Sequence, residues 1–171
     1  MYPQGWFSVE DQYEYRRLVQ SLPDGGSMVE VGVWLGRSLC SVADIIRRKR
    51  LTVYAVDTFT KRQAAGHPPL LRGQREIFLA NVRGYGVNPQ CYTMPSLAAA
   101  RLMPVVDFVF LDDDHRREHV GKEIPAWLPK TRLLMGGHDY GNPKEPGVKS
   151  AVDAIFPVVS AEGLVWSVGM A

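Results

Sequence analysis

The stretch Val29-Glu30-Val31-Gly32-Val33-Trp34-Leu35-Gly36-Arg37-Ser38 decides the fold. Met28 to Val31 is a short apolar run broken only by Glu30 and ending at Gly32, and it reads as a buried strand. Beyond it Leu39, Val42, Ala43, Ile45 and Ile46 recur at helical spacing. Arg47-Arg48-Lys49-Arg50 closes that helix with cations, which complement its C-terminal dipole. Glycines between a strand and a helix let the backbone turn sharply and approach a ligand closely. The spacing is Gly-x-x-x-Gly, not the Gly-x-Gly-x-x-Gly of dinucleotide binders, and no Gly-Lys-Ser/Thr follows. A pyrophosphate cradle is disfavoured, and Glu30 beside the loop suits a cationic ligand better than a phosphate.

Outward from this unit the pattern repeats. Upstream, Ser8-Val9-Glu10-Asp11 has the form of a capping box and opens a helix toward Leu22, stopped by Pro23-Asp24-Gly25-Gly26. Downstream, Leu51 to Val56 is a second strand ending at Asp57. A helix from about Arg72 to Arg83, a strand from Gln90 to Met94 and a helix from Ser96 to Leu102 follow. Val105 to Leu111 is the clearest strand, ended by Asp112. A helix through Val120 and Ile124 breaks near Pro125 and Pro129. Arg132 to Met135 is a fifth strand, leading into Gly136-Gly137-His138-Asp139-Tyr140. Val148 to Phe156 is a helix, and Val158 to Ser160 with Leu164 to Val168 forms a closing hairpin. Alternating strands and helices imply an α/β fold, a mostly parallel sheet covered on both faces, to which the hairpin adds an antiparallel strand. Ligands of such sheets bind outside the carboxyl ends of the strands. Glu30, Asp57, Asp112 to His115, His138 and Asp139 gather there.

Composition narrows the function. The 171 residues fit a single domain spanning 1–171. Twenty Lys and Arg against eighteen Asp and Glu leave a net charge of +2, too balanced to advertise nucleic-acid or membrane binding. Cys40 and Cys91 form no metal or disulfide pattern. No apolar run approaches the roughly 18 residues of a membrane span. The first ten residues lack the basic start and apolar stretch of a signal peptide. The expectation is a cytoplasmic protein.

Asp57 lies about twenty residues beyond the glycine loop, where a carboxylate can accept bonds from ribose hydroxyls; its bland role is a turn aspartate before Thr58. With Asp57 added, the motifs take on a family likeness. Val29 to Ser38, Val56-Asp57-Thr58, Leu111-Asp112-Asp113-Asp114-His115, Gly137-His138-Asp139-Tyr140 and Pro146-Gly147-Val148 occur in an order that resembles the class I S-adenosylmethionine-dependent methyltransferases. More narrowly, they resemble the small family that includes metal-dependent sugar O-methyltransferases of the macrolide and aminocoumarin pathways. The resemblance runs from about Trp6 to Phe156. It implies a Rossmann-like seven-stranded sheet with its last strand antiparallel. It implies that Glu30 and the loop from Gly32 through Trp34 to Gly36 hold the methionine part of S-adenosylmethionine. Asp57 and Thr58 would hold the ribose, and Ser96 would lie near the adenine. Ser38 would bind the cofactor carboxylate or serve the helix N-terminus, and Asp112 would border the cofactor.

Four polar residues leaving an apolar strand are costly to pack unless solvated, paired or metal-bound. Asp112, His138 and Asp139 can converge on one divalent cation. The resemblance supports Asp112 and Asp139 as ligands, whereas some relatives would carry an acid at 138. Carboxylates suit Mg²⁺, and an imidazole shifts the preference toward Mn²⁺, Fe²⁺ or Zn²⁺. The expected general base is Asp114, favoured by the resemblance, with His115, favoured by its ordinary pKa, as the alternative; His138 could instead be the base or a substrate contact. Asp114 can instead cap the next helix, with Arg116 and Arg117 neutralising the cluster. His119 reads as a solvated helix residue and His67 as a loop residue. Thr58 to Gly73 reads as a loop over the site, and Trp6-Phe7 as core or cofactor cover. The expected reaction is metal-assisted O-methylation of a sugar or other small polyhydroxylated acceptor, in a possible homodimer. A non-catalytic scaffold, RNA or protein methylation and nicotinamide chemistry are the competing readings.

Overall fold

In a computed structural model, which describes residues 2–60 and 73–170, seven strands form one sheet. They are β1 (Ser27–Val31), β2 (Thr52–Asp57), β3 (Gln90–Thr93), β4 (Val106–Leu111), β5 (Thr131–Gly137), β6 (Ser160–Glu162) and β7 (Val165–Gly169). Their order is β3-β2-β1-β4-β5-β7-β6. β1 to β5 are parallel, and β7 runs antiparallel to both β5 and β6. The expected Rossmann-like sheet with its antiparallel closing hairpin is the one observed.

Strand periodicity assigns the faces. On β4, Phe108 and Phe110 join one core cluster, and Val109 and Leu111 join the other. The first cluster packs under α1 (Val9–Ser21), α2 (Arg37–Ser41), α3 (Ala43–Lys49) and α4 (Gln74–Gly84). The second packs under α5 (Ser96–Leu102), α6 (Arg117–Trp127) and α7 (Pro146–Ile155). β4 is buried along its whole length, as a central parallel strand covered on both faces must be. The order reverses between β1 and β4, so the crevice for a ligand opens at their carboxyl ends.

Three local expectations change. The helix after the glycine loop is split into α2 and α3 at Val42. The Ser41 carbonyl is taken by the Arg16 guanidinium, and the Ile45 amide turns to the Val42 carbonyl instead. α6 does not break at Pro125 but runs to Trp127, followed by a short 3₁₀ turn over Leu128–Lys130. Pro125 lies on the exposed face, where water can serve the carbonyl it leaves without a partner. β5 includes Gly136 and Gly137, because both pair with β4 and β7. Arg72 and most of the loop expected over the site, including Lys61, Arg62, Gly66, His67, Pro68 and Pro69, lie outside the described residues.

At the opposite end of the sheet Asp107 ties three strands together. Its carboxylate is fully buried, accepts the Ser27 amide at 2.8 Å and is met by Arg132 Nε at 2.7 Å. Asp107→Ala leaves the Ser27 amide without its acceptor and is expected to cost about 1–3 kcal/mol. Urea unfolding measures the loss, and ligand binding at the far strand ends should be unchanged.

Candidate active site

Glu30 shares the face of Met28 and is 1% exposed under α1 and α2. Tyr15 donates to one of its oxygens at 2.7 Å and Ser38 to the other. Ser38 therefore neither caps its helix, whose N-cap is Gly36, nor stands apart from the acid. Burial drives the Glu30 carboxyl up to about 7, against the two hydroxyl donors. The two loop glycines have different physical reasons. A Cβ on Gly32, at φ +87°, would stand 2.0 Å from the Asp112 carbonyl. A Cβ on Gly36, at φ +83°, would strike Val82 and Phe78 of α4. Gly32 thus lets the first loop press against the end of β4, and Gly36 lets α4 close on it. Trp34, at φ +42°, donates its amide to Asp57 at 2.9 Å. Phe59 donates to the other oxygen at 2.7 Å. These two bonds orient a buried carboxylate at the end of β2. Thr58 stands beside it, half-buried.

Trp6 and Phe7 part company. Phe7 is in the core, whereas Trp6 is largely exposed and stacks on Trp34 at 4.7 Å between ring centroids. Arg37 holds this leading segment against α2 by donating to the Phe7 and Pro3 carbonyls. Ser96 is buried at the start of α5. It donates to Glu123 and accepts from Trp127 Nε1 at 2.9 Å, so its hydroxyl is engaged inside the fold.

Beyond the crevice, the ends of β4 and β5 bring Asp112, His138 and Asp139 together. One ligand atom from each lies within 4.8 Å of the others. His138 Nδ1 is 3.3 Å from Asp139 and 3.8 Å from Asp112. Its Nε2 is 3.2 Å from Asp11. Burial alone would lower this imidazole's pKa, but Asp112, Asp11 and Asp139 together carry it to about 10. His115 joins the cluster, with Nε2 3.1 Å from Asp139 and 3.4 Å from Asp112, and Nδ1 3.7 Å from Glu145. Asn142 donates to Asp139 at 2.5 Å. Asp139 sits at φ +61°, an unusual conformation for a residue that is not glycine.

Arg116 neutralises Asp114, as one reading expected, but the capping role fails and His119 departs from expectation. Asp114 does not cap α6. It accepts the Arg116 amide at 2.9 Å and is gripped by the Arg116 guanidinium at 2.5–3.0 Å. Partial burial would raise its pKa, but the Arg116 bonds hold it down to about 2. His119 is not simply solvated. It lies 3.8 Å from both Asp114 and the buried Glu123, and groups with Asp113 and Glu123 on the outer side. Asp113 thus belongs to a different carboxylate–imidazole group from Asp112.

Sequence reasoning missed Asp11, Tyr15, Asn142 and Glu145. Asp11 carries a signal of its own, the capping box, but that signal explains it locally and conceals its reach to residue 138. The other three carry none.

With this geometry in place, a sequence model described as a methyltransferase domain matches residues 29–140. The chain belongs to that methyltransferase family. No curated protein sequence matches it. Solved structures share its fold. The O-methyltransferase NovP is 19% identical with a TM-score of 0.67, over 98% of this chain and 83% of NovP. An O-methyltransferase from Bacillus cereus, solved with SAH, is 18% identical with a TM-score of 0.67, over 98% and 84%. TomG from Streptomyces achromogenes, solved with SAM, is 12% identical with a TM-score of 0.64, over 96% and 82%. No described helix of this methyltransferase is long and apolar enough to cross a membrane.

Glu30 gives a pH signature for the ligand-free methyltransferase. Its folded pKa of about 7 lies above the ordinary 4.5. Its contribution to stability is complete below about 4.5 and is lost as pH rises through about 7. The full loss is about 3 kcal/mol. Glu30→Gln lacks this titration, so its melting temperature relative to wild type should climb between pH 5 and 8. A difference that stays constant with pH contradicts the assignment.

Proposed function

We propose that this protein transfers the methyl group of S-adenosylmethionine to a hydroxyl of a small polyhydroxylated acceptor such as a sugar, with help from a divalent cation. The single observation that carries this reading is the juncture of two loops. The acid-lined glycine loop after β1 lies against the backbone of Asp112, the residue that begins the carboxylate–imidazole cluster. The Asp112 amide donates to the Val31 carbonyl at 2.8 Å, which pins the two halves together. Cofactor and acceptor would thus meet across one contact.

The residues fit both groups. Glu30 and Asp57 are buried carboxylates at adjacent strand ends. They suit a ligand with a cationic amino-acid end and a hydroxylated ribose, and they would repel a phosphate. Asp112, His138 and Asp139 offer two carboxylates and an imidazole within one ion's reach. That donor set favours a first-row transition ion such as Mn²⁺ over Mg²⁺. S-adenosylmethionine supplies an activated sulfonium methyl, and the cation supplies a Lewis acid that orients and acidifies the acceptor hydroxyl.

The protein's own residues complete the chemistry. Asp57 and Glu30 hold the two ends of the cofactor, with the loop through Gly32, Trp34 and Gly36 between them. Ser38 and Tyr15 position Glu30, and Thr58 borders the ribose. His115 is the general base, since it stands in the cluster beside Asp139 and Asp112. Asp114 is the weaker choice, because Arg116 grips its carboxylate and keeps it a poor proton acceptor. Ser96 shapes the adenine side from within the fold.

Two measurements test this. Asp57→Ala should weaken S-adenosylhomocysteine binding about 10- to 100-fold by calorimetry, the value of hydrogen bonds to a charged acceptor; unchanged affinity rejects the ribose assignment. In a methyl-transfer assay over a panel of sugar nucleotides and glycosides with Mn²⁺, His115→Ala should lose about 10²–10⁴-fold in kcat while binding S-adenosylhomocysteine normally. A larger loss from Asp114→Ala than from His115→Ala would return the base to Asp114.

A further inference from the structure

Asp11 is remote from the site in sequence and central to it in space. It is 2% exposed at the start of α1. Its Oδ2 accepts the Ser8 amide at 2.8 Å and lies 3.2 Å from His138 Nε2, an ion-pair contact without hydrogen-bond geometry that leaves this buried nitrogen with no hydrogen-bond acceptor. Its Oδ1 accepts the Leu164 amide at 2.8 Å, in the turn between β6 and β7. The carboxylate is therefore fixed from two sides before it meets the imidazole. Phe7 packs on the same imidazole with 5.0 Å between ring centroids. The opposite ring nitrogen, Nδ1, faces Asp139 and Asp112.

We propose that Asp11 is a positioning residue: its carboxylate charge, 3.2 Å from Nε2, keeps the proton of His138 on that nitrogen, so that Nδ1 is the nitrogen offered to a divalent cation together with Asp112 and Asp139. This rests on the cation site of the preceding section and goes beyond it. A histidine ligand needs its other ring N–H held by a partner, which fixes both tautomer and ring plane. Among the described residues, Asp11 is the carboxylate that meets His138 from the Nε2 side. Asp112 and Asp139 lie on the Nδ1 side. The same contact couples the helix that opens the fold and the closing hairpin to the site. Neither element supplies a ligand.

The test uses the full chain and two ions. Mn²⁺ dissociation constants are measured by calorimetry for wild type, Asp11→Asn, Asp11→Ala, His138→Ala, and His138→Ala combined with Asp11→Asn. S-adenosylhomocysteine affinity reports that each variant is folded. Asp11→Ala should weaken Mn²⁺ about 10- to 100-fold with S-adenosylhomocysteine affinity preserved. Asp11→Asn, which keeps an acceptor oxygen, should lose less. In the His138→Ala background, Asp11→Asn should cost nothing further. Because Asp11 also caps α1, a wild-type measurement stands beside these. The imidazole ¹⁵N spectrum of Zn²⁺-loaded protein should show His138 protonated at Nε2 and coordinated through Nδ1. Coordination through Nε2 overturns the proposal, as does an equal cost of Asp11→Asn with and without His138. Mn²⁺ binding that needs Asp112 and Asp139 but ignores Asp11 overturns the role of Asp11 alone. No Mn²⁺ binding by wild type overturns both this proposal and the cation site.

Discussion

The constraint on which the site depends is the crowding of Asp11, Asp112 and Asp139 around one buried imidazole. Two like charges about 4 Å apart repel by about 4 kcal/mol at the effective dielectric of a protein. Three carboxylates can gather at a dry strand end only around something positive. In the ligand-free protein His138 fills that role, and its neighbours hold it protonated far above the ordinary histidine range. The acids arrive from α1, from the end of β4 and from the end of β5. The cluster thus draws the first helix, the central strand and the last parallel strand to one point. Leu164 adds the closing hairpin through Asp11.

The other half of the crevice obeys a milder version of the same rule. Glu30 is buried alone and answers by rising to about 7, with Tyr15 and Ser38 bonded to its oxygens. Asp57 is held by backbone amides. Backbone strain follows the same geography. Of the four described non-glycine residues with positive φ, Trp34, Phe59 and Asp139 follow the ends of β1, β2 and β5, and Arg50 caps a helix. The unusual backbone conformations are thus gathered at the strand ends, the side of an open α/β sheet where ligands bind.

Much of this was legible in the residues themselves. Apolar runs and the 3.6-residue period place β1 to β5, β7 and nearly every helix, because burial on one or both faces dictates most of them. β6 lies two residues beyond the expected Val158 to Ser160, since it is exposed throughout and no burial fixes it. The capping box at Ser8 and Asp11 is real. The split at Val42 was not legible, since it depends on Arg16 reaching across from α1 to the Ser41 carbonyl. The helix across Pro125 was not legible either, since a proline is tolerated only where its face meets water. At the site, strand-end position alone brings Asp112, His138 and Asp139 together. The state of Asp114 was hidden by the choice Arg116 makes among neighbouring acids. Asp11 was hidden because a residue that already satisfies a local motif gives no sign of a second, distant partner.

Thermal unfolding of chelator-treated protein tests the central claim most directly, with S-adenosylhomocysteine alone, Mn²⁺ alone and both together. A ligand at a hundred times its dissociation constant adds about 2.7 kcal/mol. For a chain of this size that is roughly 5–10 °C in melting temperature. A rise with S-adenosylhomocysteine and a further rise with Mn²⁺ that disappears in Asp112→Asn is the predicted result. A melting temperature indifferent to Mn²⁺, in the presence or absence of S-adenosylhomocysteine, would contradict a cation at the acid cluster.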